Sequence, residues 1–158
     1  MEPRAIRFDT RRDCEAQFLA VVAAAQHSLH LFDPDGAVFA LGATHVDSAL
    51  RAFLSRGGQL HLALHDTAHI ERHCPRFLRL LRDYDHACEC RQTPKNLRQL
   101  TDSFCIGDER HVVRRFHSDH MRGESNFDDP GACDVPQLRF NAIWEQSRIT
   151  LYPSITGL

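Results

Sequence analysis

Residues 100–116 read LTDSFCIGDERHVVRRF, and the fold turns on this stretch. Phe104, Cys105 and Ile106 make one extended run and Val112 with Val113 another, and Gly107-Asp108 between them is a tight-turn dipeptide, so the segment predicts a β-hairpin. On strand alternation Cys105 faces away from Phe104 and Ile106. Arg114 and Arg115 are adjacent, so they point to opposite faces and at most one of them faces a cleft.

Upstream, THVDSALRAFLS (44–55) carries Val46, Ala49, Leu50, Phe53 and Leu54 at helical spacing, with Thr44 as its cap. Gly57-Gly58 stops it and QLHLAL (59–64) reads as a strand. With the apolar strand at 29–32 before it, this is a β-α-β unit, for which parallel pairing with a right-handed crossover is expected. Residues 9–26 predict an earlier helix capped by Asp9 or Thr10, with Cys14, Phe18, Val21 and Val22 on its buried face. Two further helices are expected from Thr67 to His73 and from Pro75 onward, then a half-buried strand at 86–91. Downstream of the hairpin, residues 117–134 show no periodicity and read as loop. A last helix at 135–147 has Pro136 in its first turn and Phe140 and Trp144 on one face, and a short strand is expected at 149–152.

The 158 residues suit one α/β domain spanning 1–158, with a core from about 9 to 152 and a mixed sheet flanked by helices on both faces. A formal net charge of -2 with interspersed signs supplies no nucleic-acid or membrane footprint, and Lys95 is the only lysine. No apolar run reaches the roughly 20 residues of a membrane helix, and the first residues lack a signal-type apolar core, so a cytoplasmic location is expected. In that compartment the six cysteines, which form no C-x-x-C unit, are expected to stay reduced.

The order helix, strand, helix, Arg-Gly-Gly, strand, helix, strand, hairpin, loop and helix with Phe-x-x-x-Trp resembles one half of the phospholipase D-like superfamily. More narrowly, it resembles an uncharacterised proteobacterial domain family placed there. The resemblance spans roughly residues 14–148 and implies that fold, with a cleft at the open end of the hairpin. In active members the hairpin carries H-x-K-x4-D: one histidine attacks phosphorus, a second protonates the leaving group, and lysines stabilise the phosphoryl oxygens. Two motifs are needed, from tandem halves or a symmetric dimer. With Asp108 on the motif's aspartate, Thr101 stands at the histidine position and Ser103 at the lysine position. Lys95 cannot restore the motif, because Thr93 lies two positions before it. Gly123-Glu124-Ser125-Asn126 is similar to the family's Gly-Ser-x-Asn element, but it lies eight positions past the expected glycine (123 against 115).

The resemblance therefore implies a non-catalytic binding or interaction module, a pseudoenzyme able to pair as a homodimer, with a residual cleft for a small anion or phosphate. Arg115, Arg122 and Asn126 are the candidate ligand-binding residues, since arginine forks hold anions without a lysine. The alternative is a phosphodiesterase or other hydrolase with a rebuilt centre in residues 117–126, where His117, Asp119 and His120 put two imidazoles near a carboxylate. His69 and His73, four apart on a predicted helix, are spaced to chelate a transition metal, with a solvated helix surface as the plainer reading. No cofactor is expected, and neither a membrane nor nucleic acid is indicated as a partner.

Overall fold

The hairpin forms in the middle of an eight-stranded mixed sheet. The computed structural model describes residues 4–152. Its elements are β1 (Arg4–Phe8), α1 (Arg11–Ala24), β2 (Ser28–Asp33), α2 (Thr44–Ser55), β3 (Gln59–Leu64), α3 (Ala68–His73), α4 (Pro75–Asp83), β4 (Cys88–Gln92), β5 (Ser103–Gly107), β6 (His111–Arg115), β7 (Gly123–Phe127), α5 (Pro130–Gln146) and β8 (Arg148–Thr150). The strand order is β1-β7-β6-β5-β2-β3-β4-β8. β2 and β3 are parallel, as the β-α-β pattern predicts; β4 pairs parallel with β3, and the remaining pairings are antiparallel.

Two apolar layers hold helices to the sheet. Leu29, Leu31, Leu60, Leu62 and Cys105 pack with α1, α2 and α4 on one face, while Phe32, Ala63, Phe104 and Ile106 pack with Phe140 and Ile143 of α5 on the other. The opposed directions of Cys105 and its neighbours follow the alternation read from the sequence. All six cysteines are free thiols. No described helix is long and apolar enough to cross a membrane.

The hairpin turn sits one residue later than Gly107-Asp108. Asp108 (φ 55°) and Glu109 (φ 57°) are its two left-handed central residues, closed by a 3.0 Å bond from Arg110 N–H to the Gly107 carbonyl. Gly107 stays in β5, where a Cβ would come within 3.0 Å of Val21 and 3.2 Å of Ala25, so the close approach of α1 leaves little room for a side chain there. The Asp108 carboxylate accepts from the backbone N–H of Gln26 (2.8 Å), His27 (2.7 Å) and Ser28 (3.0 Å), tying the hairpin tip to the start of β2. Partial burial works to raise its pKa, but the three amides outweigh it and hold the carboxyl below its ordinary value.

Several boundaries differ from expectation. The core begins before residue 9, because β1 pairs with β7 and buries Phe8. The 117–134 stretch is not all loop: it contains β7 and the start of α5. β7 alternates buried and half-buried positions, but two of its three buried sites are Gly123 and Ser125. The Phe8 ring lies where a Gly123 side chain would be, within 2.4 Å of its Cβ position, and Ser125 donates 2.7 Å to Gln17. An apolarity count cannot see such a strand. α5 starts at Pro130, behind an Asp129 cap whose side chain accepts from Ala132 N–H, so Pro136 lies inside the helix rather than in its first turn. Thr44 is the first residue of α2, with Ala43 at the cap position, and β4 and β8 are each displaced by one to two residues.

α5 docks through an unexpected stack of rings. Phe140 lies on His30 (4.7 Å between centroids, 7°), His30 on His61 (5.4 Å, 7°), and His61 on Trp144 (4.6 Å, 10°), with the Arg91 guanidinium 4.3 Å from the Trp144 centroid. Gln137 of α5 bonds to His30 Nδ1. Burial lowers the pKa of both histidines; the Gln137 bond partly opposes this at His30, and the His30 charge reinforces it at His61. The folded state therefore binds fewer protons than the unfolded chain just below 6.5, so this contribution is complete above 6.5 and is lost as pH falls. A His30→Phe/His61→Phe variant keeps the stack without titrating. Thermal melts at neutral and mildly acidic pH should show a smaller acid-induced drop in Tm for the variant than for the parent, and an equal drop would clear these histidines of the effect.

Candidate functional site

The polar groups of the interior gather at one end of the sheet. Of the buried polar residues, Asp33, His65, Thr93 and Ser103 all lie at the carboxyl ends of β2, β3 and β4 or at the start of β5. This is the end of an open α/β sheet at which ligands characteristically bind.

Asp33, Ser103 and Arg115 form a row across β2, β5 and β6, on the face that carries α1. Ser103 Oγ hydrogen-bonds Asp33 Oδ1, and Arg115 Nη2 donates to Asp33 Oδ1 (3.2 Å) and to Ser103 Oγ (3.0 Å). Asp33 Oδ2 accepts from the N–H groups of Gly36 (2.6 Å) and Asp35 (3.3 Å). Asp33 and Ser103 are 0% and 1% exposed, and the Arg115 side chain 10%. Burial raises the Asp33 carboxyl to about 6; the Ser103 bond and the Arg115 charge oppose this, and Asp35 adds to it.

The guanidinium of Arg115 is incompletely satisfied. Nη2 makes both strong bonds, the partner found for Nη1 is the Met121 sulfur at 4.0 Å, and the buried Nε–H has no partner. Arg115 lines a cavity of about 350 Å³ at the open end of the hairpin, together with Leu100, Thr101, Arg114, Phe116 and Arg139. Arg139 is engaged by Asp102 through two bonds of 2.5 and 2.9 Å. The Arg114 guanidinium lies 5.3 Å from the ring centroid of Phe116, a residue that is 46% exposed. Below the cavity, His65 Nε2 bonds the Leu100 carbonyl (2.7 Å) and His65 Nδ1 bonds the Thr93 hydroxyl, fixing the backbone just before Thr101. Because a carbonyl only accepts, Nε2 carries a proton.

The predicted residues divide accordingly. Thr101 reaches the cavity and Ser103 lies buried beside Arg115, whereas Asp108 is at the opposite end of β5 in the turn. Arg114 and Arg115 both line the cavity, contrary to the alternation argument, since the cavity lies at the strand end where side chains from both faces reach it. Arg115 pairs across the ladder with Gly123, so Asn126 projects from the other face of β7 and cannot join it. Arg122 is exposed and lines a separate cavity of about 520 Å³ with Phe8 and Phe116.

His117, Asp119 and His120 sit together in the loop after β6. His117 Nδ1 accepts from Asp119 N–H (3.0 Å), His120 Nδ1 accepts from Arg122 N–H (3.1 Å), and the rings are 6.1 Å apart. His117 and Asp119 are exposed, and neither imidazole is oriented by a buried partner. His69 and His73 share a face of α3 with ring centroids 5.3 Å apart. Among the described residues no three His, Cys, Asp or Glu side chains are grouped to hold a metal ion.

Sequence reasoning missed Asp33 and His65. Asp33 opens the turn-type stretch DPDG (33–36), and His65 precedes His69 and His73 at the same four-residue interval, so neither stands out in the sequence. The one available signal was an acid directly ending an apolar strand.

Known structures share this architecture. Nuc from Salmonella typhimurium, a phospholipase D family member, matches 94% of this chain and 99% of its own at 14% identity and a TM-score of 0.70. NucT from Helicobacter pylori matches 94% and 100% at 13% identity, TM-score 0.67. TrmBL2, an archaeal chromatin protein described as showing a novel mode of DNA binding, matches 93% of this chain and 54% of its own at 15% identity, TM-score 0.69. The fold is phospholipase D-like. The chain belongs to DUF7931, a family of domains of unknown function whose model matches residues 10–151. No curated protein matches it.

Proposed function

We propose that this protein is a non-catalytic phospholipase D-like module that binds a small anion in the cleft at the open end of the hairpin and works as a homodimer. The observation that carries the reading is the Asp33–Ser103–Arg115 network. Where the fold's motif would supply a lysine there is a serine that is 1% exposed and already bonded to a carboxylate and a guanidinium. A nucleophile must reach the phosphorus it attacks, and this hydroxyl is closed off. Thr101, at the histidine position, carries no group that titrates near neutrality.

The cleft favours a small anion over a polyanion. Two of its three arginines are already paired, Arg115 with Asp33 and Arg139 with Asp102, so little positive charge is left to track a nucleic-acid backbone. The chain covers 99% of the solved chain of Nuc and 100% of that of NucT, and pairing of two copies would bring two such clefts together.

The test is incubation of purified protein with a bis-aryl phosphodiester, with and without chelator, alongside sedimentation analysis. We expect no turnover and a dimer. Metal-independent turnover abolished by His117→Ala or His120→Ala would replace this reading with that of a hydrolase centred on the 117–126 loop, and a monomer would remove the homodimer.

A further inference from the structure

Arg115 lines a cavity large enough for a small anion; its buried Nε has no partner and its Nη1 only the Met121 sulfur, while its Nη2 is held by a fully buried carboxylate. An anion that engaged those donors would approach Asp33, and two negative charges sharing one guanidinium in a dry site repel strongly. We infer that a tetrahedral dianion, a phosphate or sulfate group, binds Arg115 in exchange for the charge of Asp33, and that Asp33 takes up one proton from solvent as it binds. This rests on the anion-cleft reading above and assigns it a control by pH.

The site has an acceptor for that proton: on protonation, Asp33 Oδ1–H can donate to Ser103 Oγ, which gives up its own donation to the carboxylate. Asp33 Oδ2 keeps the N–H groups of Gly36 and Asp35. Arg115 stays charged throughout, so its bond to Asp33 weakens and its full charge turns to the ligand. No covalent bond changes.

The other groups around Asp33 leave the exchange intact. Cys14 on α1 lies near Asp33 and Arg115, flanked by Arg11 and Glu15; burial raises its thiol to about 11, so it stays neutral. Asp35, in the turn after β2, is held below its ordinary value by the Ala37 N–H and the Asp33 bond against partial burial, with His69 of α3 facing it; it remains an anion and disfavours a second negative charge on Asp33. Burial places Asp33 itself near 6, so the proton is available close to neutral pH.

Sulfate is the probe, because it remains a dianion throughout the neutral range and brings no proton of its own. Calorimetric titration of the wild-type protein with sulfate, in buffers of different ionisation enthalpy about one pH unit above the Asp33 value, reads the protons exchanged. The expected result is uptake approaching one proton, with affinity falling about tenfold per pH unit across that range. In Asp33→Asn sulfate should bind with no pH dependence, since the amide leaves Arg115 uncompensated. Sulfate binding without proton uptake, or a pH dependence that persists in Asp33→Asn, overturns this inference and leaves the anion cleft standing. No sulfate binding at any pH overturns the cleft reading itself, and this inference with it. Should Asp33→Asn fail to fold, carboxyl-13C NMR of the wild type follows Asp33 directly: its titration midpoint should rise on adding sulfate, and an unmoved midpoint overturns the exchange.

Discussion

Arg115→Met is expected to destabilise the protein by about 3–5 kcal/mol at neutral pH, because it leaves the Asp33 carboxylate buried without its counter-charge. Methionine keeps most of the side-chain stem, so the effect reports charge rather than a cavity. The loss should depend on pH in a defined direction. The Arg115 charge lowers the Asp33 pKa, so without it the folded-state value rises further above the unfolded one. The folded variant then holds a proton over a wider window than the unfolded chain. Its stability declines as pH rises from the ordinary aspartate value through the raised one. Urea unfolding at about pH 5 and about pH 8 should therefore show a smaller penalty at the lower pH. Adding Asp33→Asn should restore much of the loss, since removing both charges of a buried pair costs less than removing one. If the single variant matches the parent at both pH values, the network is not the electrostatic unit described here.

Phe140→Ala should cost a similar amount, about 3–5 kcal/mol, for a different reason. Phe140 is 1% exposed and is the first ring of the stack through His30 and His61 to Trp144. Among the described residues α5 is the one α-helix that covers Phe32, Phe104, Ile106 and Val112, so a cavity there loosens the whole layer. Trp144 is the only tryptophan in the chain and reports on that layer directly. In the variant its emission should move to longer wavelength, and the urea midpoint should fall in both tryptophan fluorescence and far-UV circular dichroism. An unchanged midpoint would mean that α5 is held by contacts other than the stack.

Particular residues show why some features were legible in the sequence and others were not. α2 and β3 were readable because leucines and a phenylalanine repeat at helical spacing, two glycines stop the helix, and an apolar strand follows at once. Each of those signals acts within a few residues. β7 was unreadable because its buried positions hold glycine and serine, set by the Arg114 carbonyl and the Phe8 ring at Gly123 and by Gln17 at Ser125. The turn was misplaced by one residue because Gly107 looks like a turn glycine, whereas its actual constraint is the approach of α1. His30 and His61 alternate with leucines along β2 and β3, and only the arrival of α5 makes them members of an aromatic stack.

The sequence by itself determined the β-α-β unit, the hairpin and the two-sided α/β architecture. All of these follow from local periodicity, from glycine and proline punctuation, or from residue identity at fixed spacing. The tertiary structure alone decided which polar groups meet at the open end of the hairpin. Asp33, Ser103 and Arg115 are separated by seventy and by twelve positions along the chain, and they meet because β2, β5 and β6 are neighbours in register. No periodicity encodes that meeting, nor the burial that sets the charge of Asp33.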